Sequence, residues 1–159
     1  MSENAQKAFE VMQSTIGSDS VAGEWFEITQ ERINDFADAT IDHQFIHVDI
    51  ERASQTPFGG TIAHGFLTLS MLVHLSTSIP VDTSYKDIGG VLMGINYGLN
   101  KVRFINPVSA GSRVRATSQP VDVVLKGNAV DLTRKMTVEI EGQDKPALIA
   151  EWIGRTVFS

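Results

Sequence analysis

A chain of 159 residues and 17.4 kDa has, by size scaling, about 7,800 Å² of folded surface against about 25,000 Å² unfolded, enough burial for one self-sufficient core and too little for two. With 42% apolar and 20% charged residues it is not a disordered, collagenous or coiled-coil chain. A net charge of -6 and a pI near 5.1 leave no electrostatic footprint for nucleic acid or an anionic membrane, and the lack of any cysteine removes disulfides, thiolate catalysis and thiolate metal sites.

Residues 3–15 place Ala5, Phe9 and Met12 on one face at helical spacing, with Gly17 as a stop. Glu3, Lys7 and Glu10 stand where a signal peptide needs an apolar run, so a cytoplasmic address is expected. Glu24 to Ile28 has strand-type residues, and Thr29 then caps a helix carrying Glu31 in its first turn. From Ala53 to Val81 there is no Asp, Glu, Lys or Arg. Within it, the spacing predicts a helix from Gly65 to about Ser78, ended by Pro80, apolar on nearly every side and therefore buried, but too short to span a bilayer.

The period then changes. Val130, Leu132, Met136, Val138 and Ile140 alternate with polar residues, as in a half-buried antiparallel strand, and Arg134 is the one intruder on the apolar face. Gly127-Asn128 suits a tight hairpin, and two further turns lie at 106–111 and 142–146. The expectation is a single α+β domain over residues 1–159, with an antiparallel meander of strands 90–104, 112–126, 129–141 and 147–158 following one buried helix. A sheet wrapped on one helix leaves edges that a second subunit covers, so a homodimer is expected.

Asp42 and His47, five positions apart, can meet across a turn and hold one water between them. A purely structural alternative makes Asp42 a helix cap and His47 a partly buried polar residue. A third makes His43 and His47, with Asp42 or Asp49, a metal set without the HExxH form. Gly59, Gly60 and Gly65 permit close backbone approach, and Gly65 begins the apolar helix, where N–H groups are free to hold an anionic oxygen. His64 is placed to orient that loop, and His74 is expected in the core. No GxSxG, GxGxxG or Walker A pattern is present.

The stretch FADATIDHQFIHVDIERASQTPFGGTIAHGFLTLSML resembles the hydratase signature of the MaoC-like (R)-specific enoyl-CoA hydratases, in particular their NodN-like branch, and NYGLNKVRFINPVSAGSRVRA resembles the segment that follows it. The resemblance covers about residues 20–156. It implies a hot-dog fold, a long helix wrapped by an antiparallel sheet, working as a dimer. It also implies that Asp42 and His47 activate water and that the Gly65 N–H faces the thioester carbonyl. The more widespread form of the motif has Asn-Pro between acid and histidine; here Gln44-Phe45 stand there, with the pair intact.

The implied reaction adds water to a trans-2-enoyl thioester to give the (R)-3-hydroxyacyl thioester, or the reverse. Neither metal nor redox cofactor is needed for it, and coenzyme A or acyl carrier protein serves only as carrier of the substrate. Lys101, Arg103, Arg113 and Arg115 are candidates for the carrier's phosphates. Two competing functions share the fold: an acyl-CoA thioesterase, and a non-catalytic acyl-thioester-binding protein.

Overall fold

The computed structural model describes residues 2–159. Helix α1 (Glu3–Ser14) is capped by the Ser2 hydroxyl and buries Ala5, Ala8 and Met12. They pack with Val123, Val130 and Phe158 into a small core at one end of the sheet. Two short strands, β1 (Val21–Ala22) and β2 (Phe26–Glu27), precede α2 (Gln30–Thr40), whose Thr29 cap accepts from the Arg32 N–H as the sequence predicts. Two single-turn helices follow, α3 (Phe45–Val48) and α4 (Ile50–Ser54).

The apolar helix is assembled from α5 (Gly65–Ser70), α6 (Leu72–Leu75) and a 3₁₀ turn over Ser76–Ser78, joined through Met71, which keeps right-handed dihedrals. The expectation of burial on every side is corrected. Leu67, Thr68, Leu72 and Leu75 are buried, whereas Phe66 and Val73 on the opposite face are 69% and 55% exposed. His74 is likewise exposed, its ring edge-on to Phe26, rather than in the core. One face meets the sheet, and none of the described residues covers Phe66 and Val73 on the other.

Four long strands, β3 (Val91–Phe104), β4 (Arg113–Lys126), β5 (Ala129–Ile140) and β6 (Leu148–Phe158), match the predicted spans to within a residue or two. Gly127, at φ +62°, makes the turn from β4 to β5. Pro120, which cannot donate to a ladder, sits at a register shift. The order β1-β4-β5-β6-β3 departs from the expected simple meander: β3 pairs with β6 at the far end of the sheet and not with β4, the next strand in sequence. The connection after β3 passes under the apolar helix and pairs with its lead-in. Ala63 N–H donates to Val108 O at 2.7 Å and Ala110 N–H to Thr61 O at 2.9 Å. Those bonds turn the 105–112 segment into a wall of the site and free β3 to cross to the other edge.

The main core joins Leu67, Leu72 and Leu75 to Val114, Ala116, Met136, Val138 and Ala150 of the sheet. Arg134 does lie on this face, its guanidinium over the Trp152 ring at 4.6 Å with a buried Nε that has no acceptor among the described residues. Among the described residues no helix is long and apolar enough to cross a membrane.

Candidate active site

Asp42 follows α2 directly. The helix closes on Ile41, a β-branched residue in the left-handed region at φ +62°, a conformation that crowds its Cβ. This reversal carries the chain off the helix axis and projects Asp42 toward the start of α5. Asp42 does not cap a helix: α3 begins after Gln44, which itself makes no side-chain cap, and it is Asp49 that caps α4. The Asp42 carboxylate is 56% exposed.

His47 lies within α3, buried, and its Nδ1 is 2.7 Å from the Ile62 carbonyl. A carbonyl only accepts, so Nδ1 carries the hydrogen and Nε2 presents a lone pair. The backbone around it is clamped. Ile62 N–H donates to Ile46 O, and the Gln30 amide donates to His47 O at 2.8 Å while its carbonyl accepts from the Thr61 hydroxyl. Burial, aided by His64, holds the His47 pKa below 6.5 against the opposing pull of the Ile62 carbonyl and Asp42. The imidazole is therefore neutral at neutral pH.

Asp42, His47 and His64 each bring one oxygen or ring nitrogen to within 4.8 Å of those of the other two. Two hydrogen bonds of about 2.8 Å meeting at a water oxygen span about 4.5 Å, so a separation within 4.8 Å leaves room for one bridging water. Both groups are acceptors. A water giving one hydrogen to each turns its lone pairs outward as a nucleophile.

The alternative metal set of His43 and His47 does not assemble, because His43 turns to Asp38 at 2.7 Å instead. The alternative trio of Asp42, His47 and His64 suits a cation poorly. Its two imidazoles are stacked at 3.7 Å and 26°, so their in-plane lone pairs run side by side, while tetrahedral zinc needs them to converge at about 2.0–2.1 Å.

Beside His47 opens a cavity of about 340 Å³ with walls from Ile62, Phe104, Ile105 and Val108 and with Gly65 in its lining. Gly65 is the first residue of α5, and its N–H has no acceptor within the helix. A Cβ at this position would stand 3.0 Å from the Phe104 ring, so glycine is what allows the aromatic wall to close on the helix start. Of the cations considered for carrier phosphates, Lys101, Arg113 and Arg115 are paired with Glu151, Glu141 and Glu139. Arg103 instead donates to its neighbour's carbonyl, Val102 O.

In the sequence His64 has only a place to orient the loop before Gly65, and Gln30 is not singled out at all. His64 is buried at 3% exposure against His47, and its only signal is its place next to Gly65. Gln30 has no signal beyond its position in the first turn of α2.

Residues 11–142 match the family described as MaoC like domain. The chain is 56% identical over 135 residues to 3-hydroxyacyl-thioester dehydratase Z of Mycobacterium tuberculosis, covering 84% of this chain and 85% of the relative. It is 48% identical over 142 residues to Nodulation protein N of Rhizobium leguminosarum bv. viciae, covering 88% and 85%. Among solved structures, the (R)-hydratase from A. caviae superposes with a TM-score of 0.64 at 20% identity over 86% of this chain and 92% of that one, a likeness of fold, and the fold is the hot-dog arrangement.

Proposed function

The chain belongs to the MaoC-like domain family, and from that membership and the geometry of the cavity we propose that it is a hydro-lyase that hydrates trans-2-enoyl thioesters to (R)-3-hydroxyacyl thioesters, or dehydrates them in reverse. The observation that carries the reading is that Asp42 and His47, both acceptors, come within 4.8 Å of one another with His47 lining an apolar cavity. Asp42 takes one proton of the water and His47 orients it through the other. The hydroxide equivalent bonds to C3 as the C2=C3 bond opens, and charge moves to the thioester oxygen, where the Gly65 N–H donates to it. The carboxylic acid so formed returns its proton to C2 on the same face, and the net change is one water added. An oxyanion donor of this kind is worth about 2.7–4 kcal/mol in the transition state. The acyl chain lies along Ile62, Phe104 and Ile105, and the carrier, coenzyme A or acyl carrier protein, remains outside.

The working unit is a homodimer. The exposed edge of β3 and the uncovered face of α5 and α6, with Phe66 and Val73, support this. The test is incubation with crotonyl-CoA and a longer trans-2-enoyl-CoA, with mass and chiral analysis of products. The expected product is the intact (R)-3-hydroxyacyl thioester. Free coenzyme A as main product would make the protein a thioesterase, and binding without turnover would make it an acyl-thioester carrier or sensor.

A further inference from the structure

The Asp42 carboxylate is held by no described side-chain hydrogen bond; its nearest ionic neighbour, His64 Nε2, is 4.0 Å away. Its direction is set by the backbone alone, which is fastened at two points. Asp42 N–H donates to Ala37 O at 3.1 Å, and Asp42 O accepts from His64 Nε2–H at 2.9 Å. Between these bonds and α2 lies Ile41 in the left-handed region. With Ile41 84% exposed, the strain there is not offset by packing of its own side chain. His64 is itself immobilised. It is buried among His47, stacked at 3.7 Å, and Phe36, at 5.1 Å. The second nitrogen, Nδ1, is buried with no hydrogen-bond partner among the described residues. A buried imidazole with one nitrogen unpaired is a poor stabiliser, which leaves the bond made by its other nitrogen as what the residue contributes.

We propose that His64 is a positioning residue, whose Nε2–H holds the Asp42 carbonyl and thereby keeps the Asp42 carboxylate on the water it shares with His47, against the strain at Ile41. This rests on the hydratase reading given above. Without the bond, the 41–42 peptide relaxes and the carboxylate swings into solvent. The acyl cavity, which Asp42 does not line, is unchanged, so the loss falls on kcat and not on KM.

The test compares two replacements. His64→Gln places an amide N–H where Nε2 stood, and His64→Phe keeps a ring against His47 but has no donor. His64→Phe is expected to lower kcat about 10²-fold, the scale of an ångström misplacement, with KM changed by less than about threefold. Under the same estimate His64→Gln keeps kcat within about fivefold of the parent. Adding Ile41→Asn, which tolerates the left-handed conformation, to the Phe variant is expected to recover about tenfold of the loss. If the Phe ring is not accommodated, His64→Leu, also without a donor, is judged on the same criteria. Equal losses in the Gln and Phe variants, full activity in the Phe variant, or no recovery with Ile41→Asn would overturn the proposal. Asp42→Asn run alongside separates this from the underlying reading: an inactive Asn variant beside a fully active Phe variant defeats the positioning role alone, and an active Asn variant defeats the role given to Asp42 on which the proposal rests.

Discussion

His47 combines two properties that normally oppose one another: it is buried, and in the proposed reaction it accepts a hydrogen bond from water. The Ile62 carbonyl reconciles them by fixing the hydrogen on Nδ1, so that the neutral ring favoured by burial is also the tautomer that leaves a lone pair on Nε2. The groups that face it fix the sign of its pH dependence. Burial and His64 lower its pKa, the Ile62 carbonyl and Asp42 raise it, and the balance lies below 6.5. The acid limb of kcat/KM assigned to His47 is therefore expected below pH 6.5, where protonation removes the lone pair. An acid limb above 6.5 that disappears in His47→Gln would show that the ring works as an imidazolium. The folded state also prefers the neutral ring, so below pH 6.5 the unfolded chain binds the proton more readily. Stability falls through that window, from pH 6.5 down to the lowered pKa of the folded protein.

At the scale of elements, what was legible in the sequence was what a period or a cap encodes. The alternation from Val130 to Ile140 located β5, the Gly127-Asn128 turn located the hairpin, and Thr29 located the start of α2, each to within a residue. Arg134 broke that alternation visibly, and it lies over Trp152 on the apolar face. Strand order was not legible, because a period says which face of a strand is buried and nothing about its neighbour. The structure shows β3 paired with β6, and the segment that follows β3 bonded to residues 61–63. The same holds for the apolar helix. Phe66 and Val73 read as core by composition, and a single chain leaves them uncovered. Of the site, Asp42, His47 and Gly65 could be named from motif and family resemblance. The clamps of His64 and Gln30 could not, since both act through backbone carbonyls 22 and 17 residues away, contacts that leave no local pattern.

For the whole molecule, the accessible surface is 8706 Å², about 900 Å² above the roughly 7,800 Å² that a monomer of this mass is expected to show. That excess is close to the share of one partner in a standard interface, about 800 Å². Apolar side chains are exposed along β3, at one end of the sheet order. Leu92, Met93 and Tyr97 of β3 are 60%, 53% and 49% exposed, on a strand paired on one side only. Light scattering is expected to give twice 17.4 kDa at micromolar concentration. Lysines at Leu92 and Ile95, which blunt an open edge, are expected to yield a folded monomer. A parent protein that is monomeric at micromolar concentration would contradict the dimer.

The central claim is that Asp42 and His47 act as one unit on one water, and a double-mutant cycle on kcat/KM tests it most directly. Asp42→Asn and His47→Gln are near-isosteric, and neither alters the cavity walls. Each is expected to lower kcat/KM about 10² to 10⁴-fold, the range of general acid–base contributions. The double variant is expected to be little worse than the poorer single one, since a unit already disabled has little left to lose. Losses that multiply in the double variant would contradict a shared water, and near-normal kcat/KM in either single variant would contradict the assignment of the site.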